Sequence, residues 1–222
     1  MASRMGRFKE MSSAEHALHA ATAAAIAAAP DAPVPDGVNI LEAVSDEVRS
    51  LPQVTIGKIA GFARGVGNEF LMYLDMRFAA IVRSGQAQPE AVMDIFPGGG
   101  GTVHMARLLG RARAPELILG GELVDAELAE RYGLVNRAVP ANEIDAFVDR
   151  LARRIARLRP EVVAAIKATV ETITPKIPHQ AYAMENAALF TDDMVASAHK
   201  QLAAGVQTRE GERDLERILD NL

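Results

Sequence analysis

Between residues 53 and 82 the chain leaves few choices of fold. Residues 53–62 read as a buried strand, with Val54, Ile56, Ile59 and Ala60 and little polar interruption. Gly61, Gly65 and Gly67 then punctuate the chain. A short apolar helix is expected at 69–73 and a second strand at 76–82. Strand, glycine turn, helix, strand is a β-α-β unit. Two strands joined by a helical crossover run parallel, so the fold class is α/β rather than all-helical.

The rest of the chain is mainly helical. Residues 14–29 are expected to form an Ala-rich helix that Ser12 and Ser13 can cap and Pro30 stops. A Pro-rich linker at 30–37 follows. Ile40, Leu41, Val44 and Val48 then suit an amphipathic helix ending before Pro52. Pro97 and four glycines, Gly98 to Gly101, open a helix at 102–109. Further helices are expected at 112–119, 125–132, 141–158 and 161–172, with a short strand at 133–137. Residues 180–222 alternate charged and apolar side chains at helical spacing and break near Gly205.

Composition excludes several classes of function. Twenty-four basic against 29 acidic residues give a net charge of −5, a poor balance for gripping phosphate backbones, so no nucleic-acid partner is expected. No cysteine is present, which removes disulfides, thiolate metal sites and a cysteine nucleophile, and fits a reducing, cytoplasmic location. The Ala-rich run is shorter than the roughly 20 apolar residues a membrane span requires. Glu10, Glu15, His16 and His19 also argue against its being a signal peptide. The histidines show no ligand spacing, so no metal is expected.

Two glutamates stand out. Glu69 falls in the first turn of a helix after a glycine turn, beside Phe70, Leu71 and Met72. Glu90 follows Gln88-Pro89 in a loop. Each alone is weak: helix dipoles favour a first-turn carboxylate, and loop glutamates are commonly solvated. The glycines after Pro97 lack the Lys of a nucleotide-phosphate loop. His104 reads as a packing or surface residue and Asp94 as a solvated loop residue.

The ordered series is more specific than its parts. It runs from Ala60-Gly61-Phe62-Ala63-Arg64-Gly65-Val66-Gly67-Asn68-Glu69, with Asp75 downstream, through Gln88-Pro89-Glu90 and Phe96-Pro97-Gly98-Gly99-Gly100-Gly101-Thr102. It continues with Leu109-Gly110-Arg111-Ala112-Arg113-Ala114, then 117–121, then Gly133-Leu134-Val135-Asn136 and Val139-Pro140. This series resembles the crotonase, or enoyl-CoA hydratase/isomerase, superfamily. The resemblance implies a crotonase-like spiral of β-β-α units at 1–160 and a helical C-terminal region at 161–222 used in homotrimer or hexamer packing. It implies an acyl-CoA thioester as substrate, with coenzyme A carried by the substrate and no separate cofactor.

The same resemblance implies the chemistry. Glu69 and Glu90 match both hydratase carboxylates, Glu69 holding and activating water and Glu90 exchanging the α-proton. An oxyanion hole is implied at the Val66 N–H, with a second donor at or near Gly6, because Phe8-Lys9-Glu10-Met11 looks like the end of the family's donor motif. Gly65, Gly67, Pro97, Gly98 and Lys9 would meet the substrate. The alternatives are an isomerase or another crotonase reaction, or a non-catalytic acyl-CoA binder. Three departures are visible. The family strands that precede the first donor have no counterpart, implying an N-terminally shortened core. Arg7 stands where Asp is usual. Val66 replaces a glycine, which is costly if the turn needs positive φ there.

Overall fold

The computed structural model describes residues 38–189, 192–206, 208 and 210–219. The expected helix at 14–29, Gly6 and Lys9 lie outside the described residues. The first described helix, α1 (Ile40–Ser50), begins at Asn39 with a reciprocal cap. The Asn39 side chain accepts from the Glu42 N–H at 3.0 Å, and the Glu42 carboxylate accepts from the Asn39 N–H at 2.7 Å. It ends at Leu51, extended because Pro52 follows.

Two small sheets are then built in alternation. Strand β1 (Ile56–Ile59) lies in the first sheet and β2 (Phe62–Arg64) in the second, followed by helix α2 (Val66–Tyr73). Strand β3 (Met76–Ile81) returns to the first sheet and β4 (Gly85–Ala87) to the second. A short 3₁₀ turn at Ala91–Met93 and helix α3 (Gly101–Gly120) follow. Strand β5 (Val124–Asp125), α4 (Ala126–Tyr132) and β6 (Arg137–Pro140) close both sheets, in the orders β1-β3-β6 and β2-β4-β5. All pairings are parallel except β4 with β5. This recurrence is the expected spiral of β-β-α units. The expected strand at 53–62 is in fact two strands, because the chain changes sheets at Gly61.

Most of the core lies between the sheets and α3. Met72, Ala79, Met105, Leu109, Leu117, Ala129 and Leu134 are buried together. The central strand β3 carries a buried Arg77, tolerated because its guanidinium donates to the Leu134 and Leu74 carbonyls at 2.9 and 2.8 Å. Helix α3 contains both helices expected at 102–109 and 112–119, joined across Gly110, whose φ of 81° and ψ of 170° break the helical path. The strand expected at 133–137 begins later. Gly133 takes a left-handed φ of 88° as the C-cap of α4, and pairing starts only at Arg137.

Helices α5 (Ile144–Ile155), α6 (Pro160–Ile173), α7 (His179–Leu189), α8 (Asp192–Ala204) and α9 (Leu215–Leu219) complete the described chain, with a 3₁₀ turn at Gly211–Arg213 before α9. Helix α6 leaves Ile166, Val170 and Ile173 exposed. Among the described residues no helix is long and apolar enough to cross a membrane.

Asn39 also donates to the Gly98 carbonyl at 2.6 Å and to Asn186 at 2.9 Å, so it joins α1 both to the glycine loop and to α7. Replacing it with Ala is expected to lower stability by about 1–2 kcal/mol, the cost of an N-cap plus a tertiary hydrogen bond, measured as a lower midpoint in urea unfolding.

Candidate active site

The glycine turn after β2 carries the first site residues. The Gly65 N–H donates to the Ala87 carbonyl at 3.1 Å, extending the β2–β4 ladder, and then the backbone turns into α2. Gly65 has φ 53° and ψ −127°, a conformation open to glycine. A β-carbon there would also sit 2.6 Å from Glu90 Oε1. The positive φ therefore falls on Gly65, and Val66 is an ordinary first residue of α2 with a negative φ. The expected cost of valine at that position does not arise. Its N–H is one of the first-turn donors that lack an intrahelical acceptor.

Glu69 lies one turn along α2 and is 1% exposed. Its Oε1 accepts from both the Gly99 and Gly101 N–H groups, each at 2.9 Å. These amides open α3, whose N-terminal dipole favours negative charge. Glycine is required for the approach: β-carbons at positions 99 and 101 would each lie 2.6 Å from a Glu69 carboxylate oxygen. The other oxygen, Oε2, is buried with no protein partner among the described residues.

Glu90 is 7% exposed and sits where β4 gives way to the 3₁₀ turn, its carbonyl accepting from Met93 and Ile95. Its Oε2 is likewise buried without a protein partner. Beside the pair runs a buried amide chain, with Gln86 donating to Asn68 at 2.8 Å and Asn68 to Gln88 at 2.9 Å. The Gln88 Nε2 comes within 3.2 Å of where a Gly101 β-carbon would be, beside Glu69 Oε1.

Burial raises both acids. Glu69 is pushed up to about 8, chiefly by desolvation and next by the charge of Glu90; its two backbone hydrogen bonds pull the other way and lose. Glu90 is pushed up to about 7, again chiefly by desolvation. The pair is thus brought within electrostatic reach of each other. Double ionisation is disfavoured, so the two carboxyls titrate as a coupled pair.

The other expected residues are distributed around this pair. Pro97 is fully buried, and the Gly98 carbonyl is used by Asn39. Gly67 is exposed, with open space where a side chain would go. His104 is buried edge-on against the Tyr73 ring at 4.3 Å and is held well below the usual histidine range, at about 3, by desolvation. This suits a packing residue. Asp94 is exposed and left-handed, with φ 55°. Sequence reasoning missed the Asn68–Gln86–Gln88 chain, although two glutamines at i and i+2 in an otherwise apolar stretch were a usable signal. It also missed Glu185, buried on α7 against α3.

A family model for enoyl-CoA hydratase/isomerase matches residues 38–212. The chain belongs to that family. A short-chain-enoyl-CoA hydratase of Clostridioides difficile is 42% identical over 105 residues, 47% of this chain and 66% of that protein. A crotonyl-CoA hydratase of Syntrophomonas wolfei is 36% identical over 108 residues, 49% of this chain and 41% of that protein. The matches thus span from under half to about two thirds of these curated relatives. A crystal structure of a protein described as an enoyl-CoA hydratase, from Streptomyces avermitilis, superposes with a TM-score of 0.75 at 42% identity, covering 85% of this chain and 69% of that one.

Two predictions follow from the site geometry. Gly101→Ala must displace Glu69 and is expected to cost about 1–3 kcal/mol of stability, whereas Gly67→Ala, in open space inside a helix, is expected to gain up to about 1 kcal/mol; paired urea titrations check the contrast. A buried acid whose folded pKa is raised contributes stability at acid pH, and that stability is lost as pH rises past the ordinary carboxylate range to the folded value. With Glu69 near 8, Glu90 near 7 and Glu42 also near 7, the melting temperature is expected to fall from pH 5 to pH 9. Glu69→Gln is expected to flatten that slope.

Proposed function

We propose that this family member is an enoyl-CoA hydratase, adding water reversibly to a 2-enoyl-CoA thioester through an enolate. The observation that carries the reading is the pair itself: Glu69 and Glu90, both buried and electrostatically coupled, on one glycine-lined site. Hydration needs one proton taken from water and one delivered to carbon. Two carboxyls can divide these tasks in the microstate with Glu69 ionised and Glu90 protonated, one of the two singly protonated forms of the coupled pair.

In the proposed reaction Glu69 is fixed through Oε1, which leaves Oε2 to hold a water and accept its proton as the water oxygen bonds to the β-carbon. The β-carbon's π electrons shift to form an enolate on the thioester oxygen. The Val66 N–H, at the start of α2, is assigned to that oxygen, where the helix dipole adds to a single amide. The second donor expected at or near Gly6 lies outside the described residues. Glu90 then delivers its proton to the α-carbon, and the enolate collapses to the 3-hydroxyacyl thioester. The balance is one water consumed, with the pair's proton count restored by exchange between the carboxyls or with solvent. The names of the C. difficile and S. wolfei relatives support hydration over other reactions of the family.

The test is loss of the conjugated enoyl-thioester absorbance on adding crotonyl-CoA. Glu69→Gln and Glu90→Gln are each expected to lower kcat by at least about 100-fold. The pH profile of kcat/KM is expected to be bell-shaped with both limbs near neutral. Gain of that absorbance from a 3-enoyl thioester, with no hydration, would make the protein an isomerase instead. Binding of the thioester without turnover, unaffected by either substitution, would make it a non-catalytic binder.

A further inference from the structure

Three C-terminal helices each reach a different loop of the candidate site. From α9, Glu216 accepts from Arg64 at 2.9 and 3.2 Å, one residue before the Gly65 turn. From α8, Gln201 and Ser197 donate to the Met93 carbonyl at 2.5 and 3.2 Å, just beyond Glu90. From α7, Glu185 accepts from the Gly100 N–H at 2.9 Å and from the Thr102 hydroxyl. The last contact bears most directly on a reacting group.

Consecutive amides at the start of α3 are shared between two carboxylates. Gly99 and Gly101 donate to Glu69, and Gly100, between them, donates to Glu185. Gly100 has a φ of 84°, and a β-carbon there would meet Ile177 Cδ1 at 2.7 Å. The peptide planes of this segment are therefore held from opposite sides, by α2 and by α7. Moving Gly100 moves both amides that grip Glu69.

Glu185 is well placed for such a role. It is 2% exposed. Tyr182, Glu185 and Asn186 share one face of α7 by their i, i+3, i+4 spacing. Tyr182 shares a hydroxyl hydrogen bond of 2.9 Å with Tyr73 of α2. Asn186 accepts from Asn39 at 2.9 Å and donates to Glu42 of α1 at 3.2 Å. The helix is thus pinned on both sides of the glutamate.

We propose that Glu185 is a positioning residue for Glu69, bracing the Gly99–Thr102 segment so that Glu69 Oε1 stays fixed and Oε2 stays free for water. The role rests on the reading of Glu69 as the water-activating group. Among the described residues, the groups that face Glu185 are Glu42 from α1, Glu69 from α2, and the Thr102 hydroxyl and first-turn amides from α3. Its charge also bears on Glu69 and helps to raise it, as a lesser cause than burial and Glu90.

The experiment compares the full chain with Glu185→Ala, which removes the acceptor, and Glu185→Gln, which keeps an acceptor for Gly100 and removes the charge. The Glu69 titration is followed by carboxyl ¹³C NMR, its signal identified by its loss in Glu69→Gln. In Glu185→Gln the Glu69 midpoint is expected to fall by at least about 0.3 pH unit as like-charge repulsion is removed. Glu185→Ala is expected to lower kcat for crotonyl-CoA at least about tenfold with KM within about threefold, and Glu185→Gln to recover most of that loss. A kcat for Glu185→Ala within twofold of the unaltered chain overturns the proposal, as does a Glu185→Gln that recovers none of the loss. Should Glu185→Ala not fold, Glu185→Asp, which shortens the acceptor's reach to Gly100, replaces it with the same readouts. Should the unaltered chain show no turnover, the hydration reading fails, while the Glu69 midpoint still decides the brace: it is expected higher in Glu185→Ala than in Glu185→Gln, because a loosened segment weakens the two amide bonds to Glu69, and equal midpoints overturn the proposal.

Discussion

One carboxylate oxygen accepting two main-chain amides organises this protein. Glu69 Oε1 takes the Gly99 and Gly101 N–H groups, and so joins the first helix after the β2 turn to the start of the long helix α3. The bond demands glycine on the receiving side, because a β-carbon at either position would collide with the acid. It also demands that the acid be buried. These requirements oppose each other electrically. Helix amides favour the anion by an amount on the order of 1 kcal/mol, yet loss of water and the nearby Glu90 outweigh them and leave Glu69 raised to about 8. The result is an acid held rigidly and still able to carry a proton near neutral pH.

The geometry around that acid explains why the chain tolerates so much buried polarity. Asn68, Gln86 and Gln88 hydrogen-bond to one another in a line beside the carboxylates, and Asn39, Glu42 and Asn186 do so behind them. Among the buried side-chain atoms without a protein partner are one oxygen of each acid, Glu69 Oε2 and Glu90 Oε2. Buried polar groups are normally paired, so these two oxygens are the ones left for water or substrate to meet.

Much of this was legible in the sequence, for identifiable reasons. The apolar runs at 53–62 and 76–82 around clustered glycines required a parallel β-α-β unit, and the observed β1–β3 pairing is parallel. The glycines after Pro97 marked the start of α3 because little else lets a backbone approach a side chain so closely. The change of sheet at Gly61 was not legible, since both strands fall within one apolar run and periodicity carries no sign of which sheet a strand joins. Nor was the cost assigned to Val66: one residue decides which side of the turn takes positive φ, and here it is Gly65. Glu185 escaped notice because its partners, Gly100 and Thr102, lie more than 80 positions away, beyond any local pattern.

The contacts made by α7, α8 and α9 place later-made segments over loops made much earlier. On a ribosome, Glu69 and Glu90 emerge about 100 residues before Glu185, and the Arg64 loop well before Glu216. During that interval two buried acids have only part of their enclosure, and water can reach what the finished protein excludes. Assembly of the chemistry is therefore tied to synthesis of α7, α8 and α9. A nascent chain halted within α6 would hold both glutamates but lack the struts that keep them in place.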